Sequence, residues 1–85
     1  MYSKFNLITS DQIRAARALL RWSGKDLAEK TGLGFSTLMR LEVLEGVPSA
    51  QAKTLEAIQK AFEEAGVEFI GTPENGAGVR WKLRP

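Results

Sequence analysis

The tightest local constraint on this chain is a run of four residues, Thr31-Gly32-Leu33-Gly34, set between two short amphipathic stretches. Upstream, Ser23 is followed three residues later by Asp26. That spacing makes a near capping box, with Asp in place of the usual Glu, and opens a helix that runs through Leu27 and Ala28 to about Thr31. Gly32 then fits the C′ position, where the backbone turns left-handed and a residue without a Cβ bears no steric cost. A further helix spans roughly residues 35–44. Leu38 and Leu41 anchor it, leaving Phe35, Ser36, Met39, Arg40 and Val43 on its outer side. So short a turn holds the two helices at a fixed angle, either for ordinary packing or to present the second helix to a ligand.

The flanking segments supply the rest of a small domain. Residues 1–9 read as an extended arm or a disordered leader. A first helix starts with Ser10 as N-cap and Asp11 in the first turn, where a negative charge suits the helix dipole. Ile13, Ala16, Leu19 and Leu20 form its apolar stripe, and Arg14, Arg17 and Arg21 recur along another. Pro48-Ser49 starts a fourth helix, about 50–65, whose apolar face carries Leu55, Ile58 and Phe62 with Lys and Glu opposite. After Gly66 the period changes to two. Val67 and Phe69 alternate with Glu68 and Ile70, and Val79, Trp81 and Leu83 alternate with Arg80, Lys82 and Arg84. The intervening GTPENGAG is a turn cluster, so the segment reads as a β-hairpin with a longish loop. The expected fold is mainly α: four or five helices over residues 10–66, with a C-terminal hairpin over 67–85.

Composition removes several function classes. Eighty-five residues suit one domain with a modest core. There is no cysteine, hence no disulfide framework and no thiolate metal site, and no histidine for acid–base work. Glu63-Glu64 are adjacent on a solvated helix face rather than convergent in a pocket. TGLGFS lacks the spacing of either glycine-rich phosphate loop and follows a helix, not a strand. No acidic loop has cation-binding spacing. We therefore expect no enzyme, no catalytic residue, no cofactor and no metal. The N-terminus lacks the apolar core of a secretion signal, and no run approaches the roughly 20 apolar residues of a membrane helix. A soluble, cytoplasmic protein with no membrane partner is expected.

The net charge is only +2, but it is unevenly distributed. Residues 1–40 hold seven Lys/Arg against three Asp/Glu, a net +4; residues 41–79 hold two against seven, a net −5; residues 80–85 add three cations. One half suits a polyanion and the other is kept from it, unless the clustering is only that of a solvated surface.

Two short helices joined by a three- to four-residue turn containing Gly form the helix-turn-helix pattern. Arg17, Ser23, Leu27-Ala28, Gly32, Thr37-Leu38, Leu41-Glu42 and Pro48-Ser49 together resemble the lambda-repressor-like (XRE-type) helix-turn-helix family over residues 10–62. The resemblance implies a four- or five-helix bundle that binds double-stranded DNA, usually as a dimer, to regulate transcription, with the third helix in the major groove. It also implies an ion pair between Arg17 and Glu42 that ties the first helix to the third, which excludes both from base contact. The chain departs from the family at Gly24, where many members have a glutamine that touches phosphate or base, and at Gly34, where a serine or asparagine is common.

On this reading the candidate DNA-binding residues are Lys25, Gly34, Phe35, Ser36, Thr37, Met39 and Arg40. Arg40 is the best base reader, because bidentate Arg to guanine is the commonest specific contact; the alternative is a phosphate contact or free solvation. Ser36 and Thr37 suit base edges or phosphates, and Thr37 equally suits a plain helix start. Lys25 and Lys30 face the DNA backbone or only water, and Arg14 and Arg21 are weaker phosphate candidates. Phe35 and Met39 make the outer face apolar, suited to thymine methyls or to a protein partner. The hairpin either closes the core over the fourth helix or pairs with a second copy, as edge strands invite. A rival function is a protein-interaction module, an antitoxin or adaptor, with DNA binding secondary or lost.

Overall fold

The computed structural model describes residues 7–83, so residues 1–6 of the expected N-terminal arm, and Arg84, lie outside the described residues. Four helices are followed by two strands: α1 (Ser10–Leu20), α2 (Gly24–Thr31), α3 (Phe35–Glu42), α4 (Ala52–Glu64), β1 (Val67–Thr72) and β2 (Asn75–Trp81). The strands make one antiparallel hairpin. The architecture is a small mixed α/β domain.

Each helix start shows which local rule governs it. α1 is capped by Thr9, not by the expected Ser10. The Thr9 hydroxyl accepts from the Gln12 amide N–H at 3.0 Å, and Gln12 Oε1 accepts from the Thr9 N–H at 2.8 Å. Ser10 is displaced from the cap because its own hydroxyl donates to Leu41 O at 2.6 Å, which ties the start of α1 to the end of α3. α1 ends where Arg21 takes a left-handed conformation, φ 58°. At α2 the Ser23–Asp26 capping box forms, and Gly32 closes the helix at φ 77°. α3 stops at Glu42, two residues short of the expected end. α4 begins at Ala52 rather than at Pro48-Ser49: Pro48 is buried, but the chain stays irregular through Ala50 and Gln51 is the extended residue that precedes the helix.

The core is drawn from every element. Ile8, Ile13 and Ala16 meet Leu27, Leu38 and Leu41, and α4 adds Leu55, Ile58 and Phe62. Val67 at the start of β1 is fully buried with them, and Phe69 and Val79 pack against the cluster. The Phe62 ring stacks on Trp22, centroids 5.5 Å apart, and meets Phe69 at 6.0 Å. Such aromatic pairs add about 0.5–1.5 kcal/mol beyond area burial. The hairpin thus closes over α1 and α4.

Its register pairs Val67 with Trp81, Glu68 with Arg80, Phe69 with Val79 and Ile70 with Gly78. The expected long loop is mostly strand, and only Pro73-Glu74 remains as a turn. Gly71 is required there: it sits at φ 75°, and a Cβ on it would lie 2.2 Å from Gly76 O. The Gln12 side chain fastens the hairpin tip to α1, its Nε2 donating to Gly78 O at 2.9 Å and to Ile70 O at 3.2 Å. Among the described residues no helix is long and apolar enough to cross a membrane.

Candidate nucleic-acid interface

α2 and α3 are joined by Gly32, Leu33 and Gly34, with the Leu33 side chain packed on the core and its N–H donating to Thr31 Oγ1 at 3.2 Å. Leu38 and Leu41 of α3 are buried, and that inward anchoring decides which side of α3 meets solvent. Ser36 and Arg40 are exposed, and Phe35 keeps 44% of its surface in water. Thr37 is half-buried. Gly34 is the extended N-cap residue, and no side chain bonds the first turn of α3. The leading N–H groups of α3 are thereby left open, the arrangement that suits an anion at a helix start.

Met39 departs from the outward placement expected of it. It is half-buried and packs against the core. Its tip also lies across the start of α2, so a Cβ on Gly24 would fall 2.6 Å from Met39 Cε and 2.8 Å from Phe35 Cε1. Gly24 and the two apolar residues of α3 are therefore one packing solution. The glutamine common at this position in lambda-repressor-like proteins would collide with Met39 and Phe35 where they stand.

The cations divide into committed and uncommitted. Arg17 Nε donates to Glu42 Oε2 at 2.8 Å and Nη2 to Oε1 at 2.7 Å, while Nη1 donates to Trp22 O at 3.0 Å. The hydrogen bonds Arg17 donates to Glu42, helped by the carboxylate charge, raise the Arg17 pKa above its usual value and outweigh the opposing effect of burial. Arg14 donates to Glu42 O and pairs with Asp11, which occupies it at the end of α3. Lys30 Nζ stands 5.6 Å from the centroid of the Trp22 ring, a cation–π placement. Arg80 pairs with Glu68 at 3.1 Å, and Lys82 Nζ donates to Glu63 O at 2.7 Å. Sequence reasoning missed the placements of Arg14 and Lys30, because Glu42 O reaches Arg14 from the end of α3 and the Trp22 ring reaches Lys30 from the turn before α2. Among the described residues, Arg40 and Lys25, like Arg21, Lys53 and Lys60, are exposed and make no ion pair or side-chain hydrogen bond.

No protein-family model matches the chain, and no curated protein matches it. The arrangement stands on its own geometry: an exposed stripe of Phe35, Ser36 and Arg40, open backbone N–H groups at its head, and Lys25 on the adjoining helix beside Gly24. Among the described residues no group of acidic side chains could hold a metal ion.

Proposed function

We propose that the chain is a sequence-specific DNA-binding transcriptional regulator with a lambda-repressor-like, XRE-type bundle. In this reading a homodimer inserts α3 of each copy into successive turns of the major groove. Arg40 reads a base edge, Ser36 and Thr37 touch base or phosphate, and Lys25 and the open N–H groups of Gly34, Phe35 and Ser36 hold phosphates. The observation that carries the reading is the contrast among cations. Arg14, Arg17, Lys30, Arg80 and Lys82 are each engaged within the fold; of the exposed cations without a side-chain partner among the described residues, Arg21, Lys25, Arg40, Lys53 and Lys60, it is Arg40 and Lys25 that stand on α3 and α2, on either side of their junction. Phe35 adds an apolar surface beside them that suits a thymine methyl. The Arg17–Glu42 pair fits the positioning role the resemblance implies.

The test is selection from a pool of random DNA duplexes at two salt concentrations, with the retained duplexes sequenced. A two-fold symmetric motif whose affinity falls steeply with salt is the expected result, because each neutralised phosphate releases counterions. Folded protein that enriches nothing at either salt overturns the reading. It would favour a protein-interaction module, for which the apolar Phe35 patch is the observation of interest.

A further inference from the structure

We infer that the outer edge of β2 is where two copies of this chain join, antiparallel and edge to edge, about a two-fold axis at Val79. The inference supplies the interface for the dimer in the regulator reading, but it stands on the hairpin alone and needs no DNA.

The argument starts from hydrogen-bond parity. Lys82 N donates to Gly66 O at 2.9 Å, which makes Gly66 and Lys82 a hydrogen-bonded pair at the base of the hairpin. In an antiparallel ladder such pairs alternate with non-bonded ones. The register of the hairpin then makes Glu68/Arg80 and Ile70/Gly78 bonded pairs, and Val67/Trp81 and Phe69/Val79 non-bonded pairs. Residues of a non-bonded pair turn their N–H and C=O away from each other. β2 therefore displays the backbone polar groups of Val79 and Trp81 along its outer edge, and among the described residues nothing takes them. An open edge of this kind is a template for another strand. β1 starts at buried Val67 and lies on α4, while β2 lies on α1 with Val79 packed on the core. Toward the end of β2 the side chains are open: Trp81 is 51% exposed, and Leu83 just beyond it is 86% exposed.

A second copy fits this edge because of the sequence around Val79. On its N-terminal side stand Gly76-Ala77-Gly78 and on its C-terminal side Arg80-Trp81-Lys82. Antiparallel pairing centred on Val79 sets Arg80 opposite Gly78, Trp81 opposite Ala77 and Lys82 opposite Gly76 of the partner subunit. Each of these three bulky residues meets a small one. Moving the axis to Arg80 would set Arg80 against itself, and moving it to Trp81 would set Arg80 against Lys82. Like charges directly opposite are destabilising. Against both of these shifts charge and volume favour the Val79 register, and a two-fold axis uses both halves of the strand twice. The pairing would also fix the spacing of the two α3 helices. The first turn of α1 holds the hairpin tip through Gln12 and the end of α3 through Ser10.

Sedimentation equilibrium of the full chain without DNA, from micromolar to near-millimolar concentration, tests this. A monomer–dimer equilibrium is expected. Gly78→Lys places a cation opposite Arg80 of the partner subunit and should weaken association roughly tenfold, while Gly78→Glu should tighten it roughly tenfold, since each contact occurs twice. A Cβ at Gly78 meets the Ile70 side chain at 3.7 Å and Gly76 O at 3.9 Å, both ordinary contacts, so both variants should fold. Val79→Pro removes an N–H that the hairpin itself does not use, as edge strands tolerate, and should leave a folded monomer. A wild-type chain that stays monomeric throughout overturns the proposal. So does a dimer that neither Gly78 variant alters, since that dimer uses another surface. A β2 dimer that selects no DNA would remove only the regulator reading.

Discussion

Arg17 and Glu42, 25 residues apart, meet through two parallel hydrogen bonds of 2.8 and 2.7 Å, with the Glu42 side chain only 5% exposed. The pair joins α1 to the end of α3, and its third bond, from Arg17 to Trp22 O, secures the turn into α2. Removing Arg17 would strand a buried carboxylate. Arg17→Ala should therefore lower the unfolding free energy by about 3–5 kcal/mol. Arg17→Lys should recover only part of it, because an ammonium cannot grip both oxygens at once. Arg17→Met with Glu42→Leu should be much milder than either truncation alone, since no charge is left unpaired. Urea unfolding of the four proteins measures each value. If Arg17→Ala costs no more than an exposed pair would, the link between helices is carried elsewhere.

Gly24 sits beneath Met39 and Phe35, so its missing side chain is a packing requirement and not merely a weak helix start. Gly24→Ala should cost about 1 kcal/mol in the wild type, because the Met39 tip must swing away from a packed position. In a Met39→Ala background, where only the Phe35 ring still crowds the new Cβ, the same change should cost clearly less. Thermal unfolding of the four-member cycle gives the coupling. Equal effects in both backgrounds would show that Gly24 and Met39 do not compete for one space.

Features governed by near neighbours were legible in the sequence. The Ser23–Asp26 box, the left-handed Gly32 and the alternation in the hairpin all follow from residues a few positions apart. What the sequence hid was decided across the fold. Ser10 looks like the better cap, but its hydroxyl is taken by Leu41 O and the duty passes to Thr9. Met39 looks outward by helical period, yet the bare backbone of Gly24 gives it somewhere to lie. Arg14 and Lys30 look like phosphate contacts until Glu42 O and the Trp22 ring are seen beside them. In the candidate interface, Arg40 and Lys25 were readable because nothing distant reaches them.

Gln12 performs two tasks with one amide: its oxygen completes the cap of α1 and its nitrogen holds the hairpin tip. Gln12→Ala should cost roughly 2–3 kcal/mol, with two carbonyls and one N–H losing a partner. The loss should be uneven. Amide exchange of the β1 and β2 residues should accelerate well before that of α2 and α3, because the hairpin loses both of its side-chain hydrogen bonds to α1 among the described residues. Uniform acceleration would mean that the hairpin and helices open as one unit.

Glu68 faces Arg80 across the strands, and their hydrogen bond holds the Glu68 carboxyl below its ordinary value. A depressed folded-state pKa contributes stability above the unfolded pKa and loses it as pH falls through the folded value. The hairpin should therefore be unaffected by titration at neutral pH and loosen in acid, below the usual glutamate range. Arg80→Gln should return the Glu68 midpoint toward that range. Carboxyl carbon chemical shifts followed through an acid titration read both midpoints, and an unchanged midpoint in the variant would separate the shift from Arg80.

Arg40 and Lys25 are assigned different tasks, and the difference is measurable on a selected duplex. A base reader carries information at one position. Arg40→Ala should weaken binding to the preferred duplex by about 1–3 kcal/mol and relax the preference at a single base pair. A phosphate contact carries none. Lys25→Ala should weaken binding to every sequence alike and flatten the salt dependence by about one unit of slope. The two effects should add in the double variant if the side chains touch separate groups. Uniform weakening by Arg40→Ala, with the base preference intact, would make Arg40 a second phosphate ligand and shift sequence reading to Ser36 and the Phe35 ring.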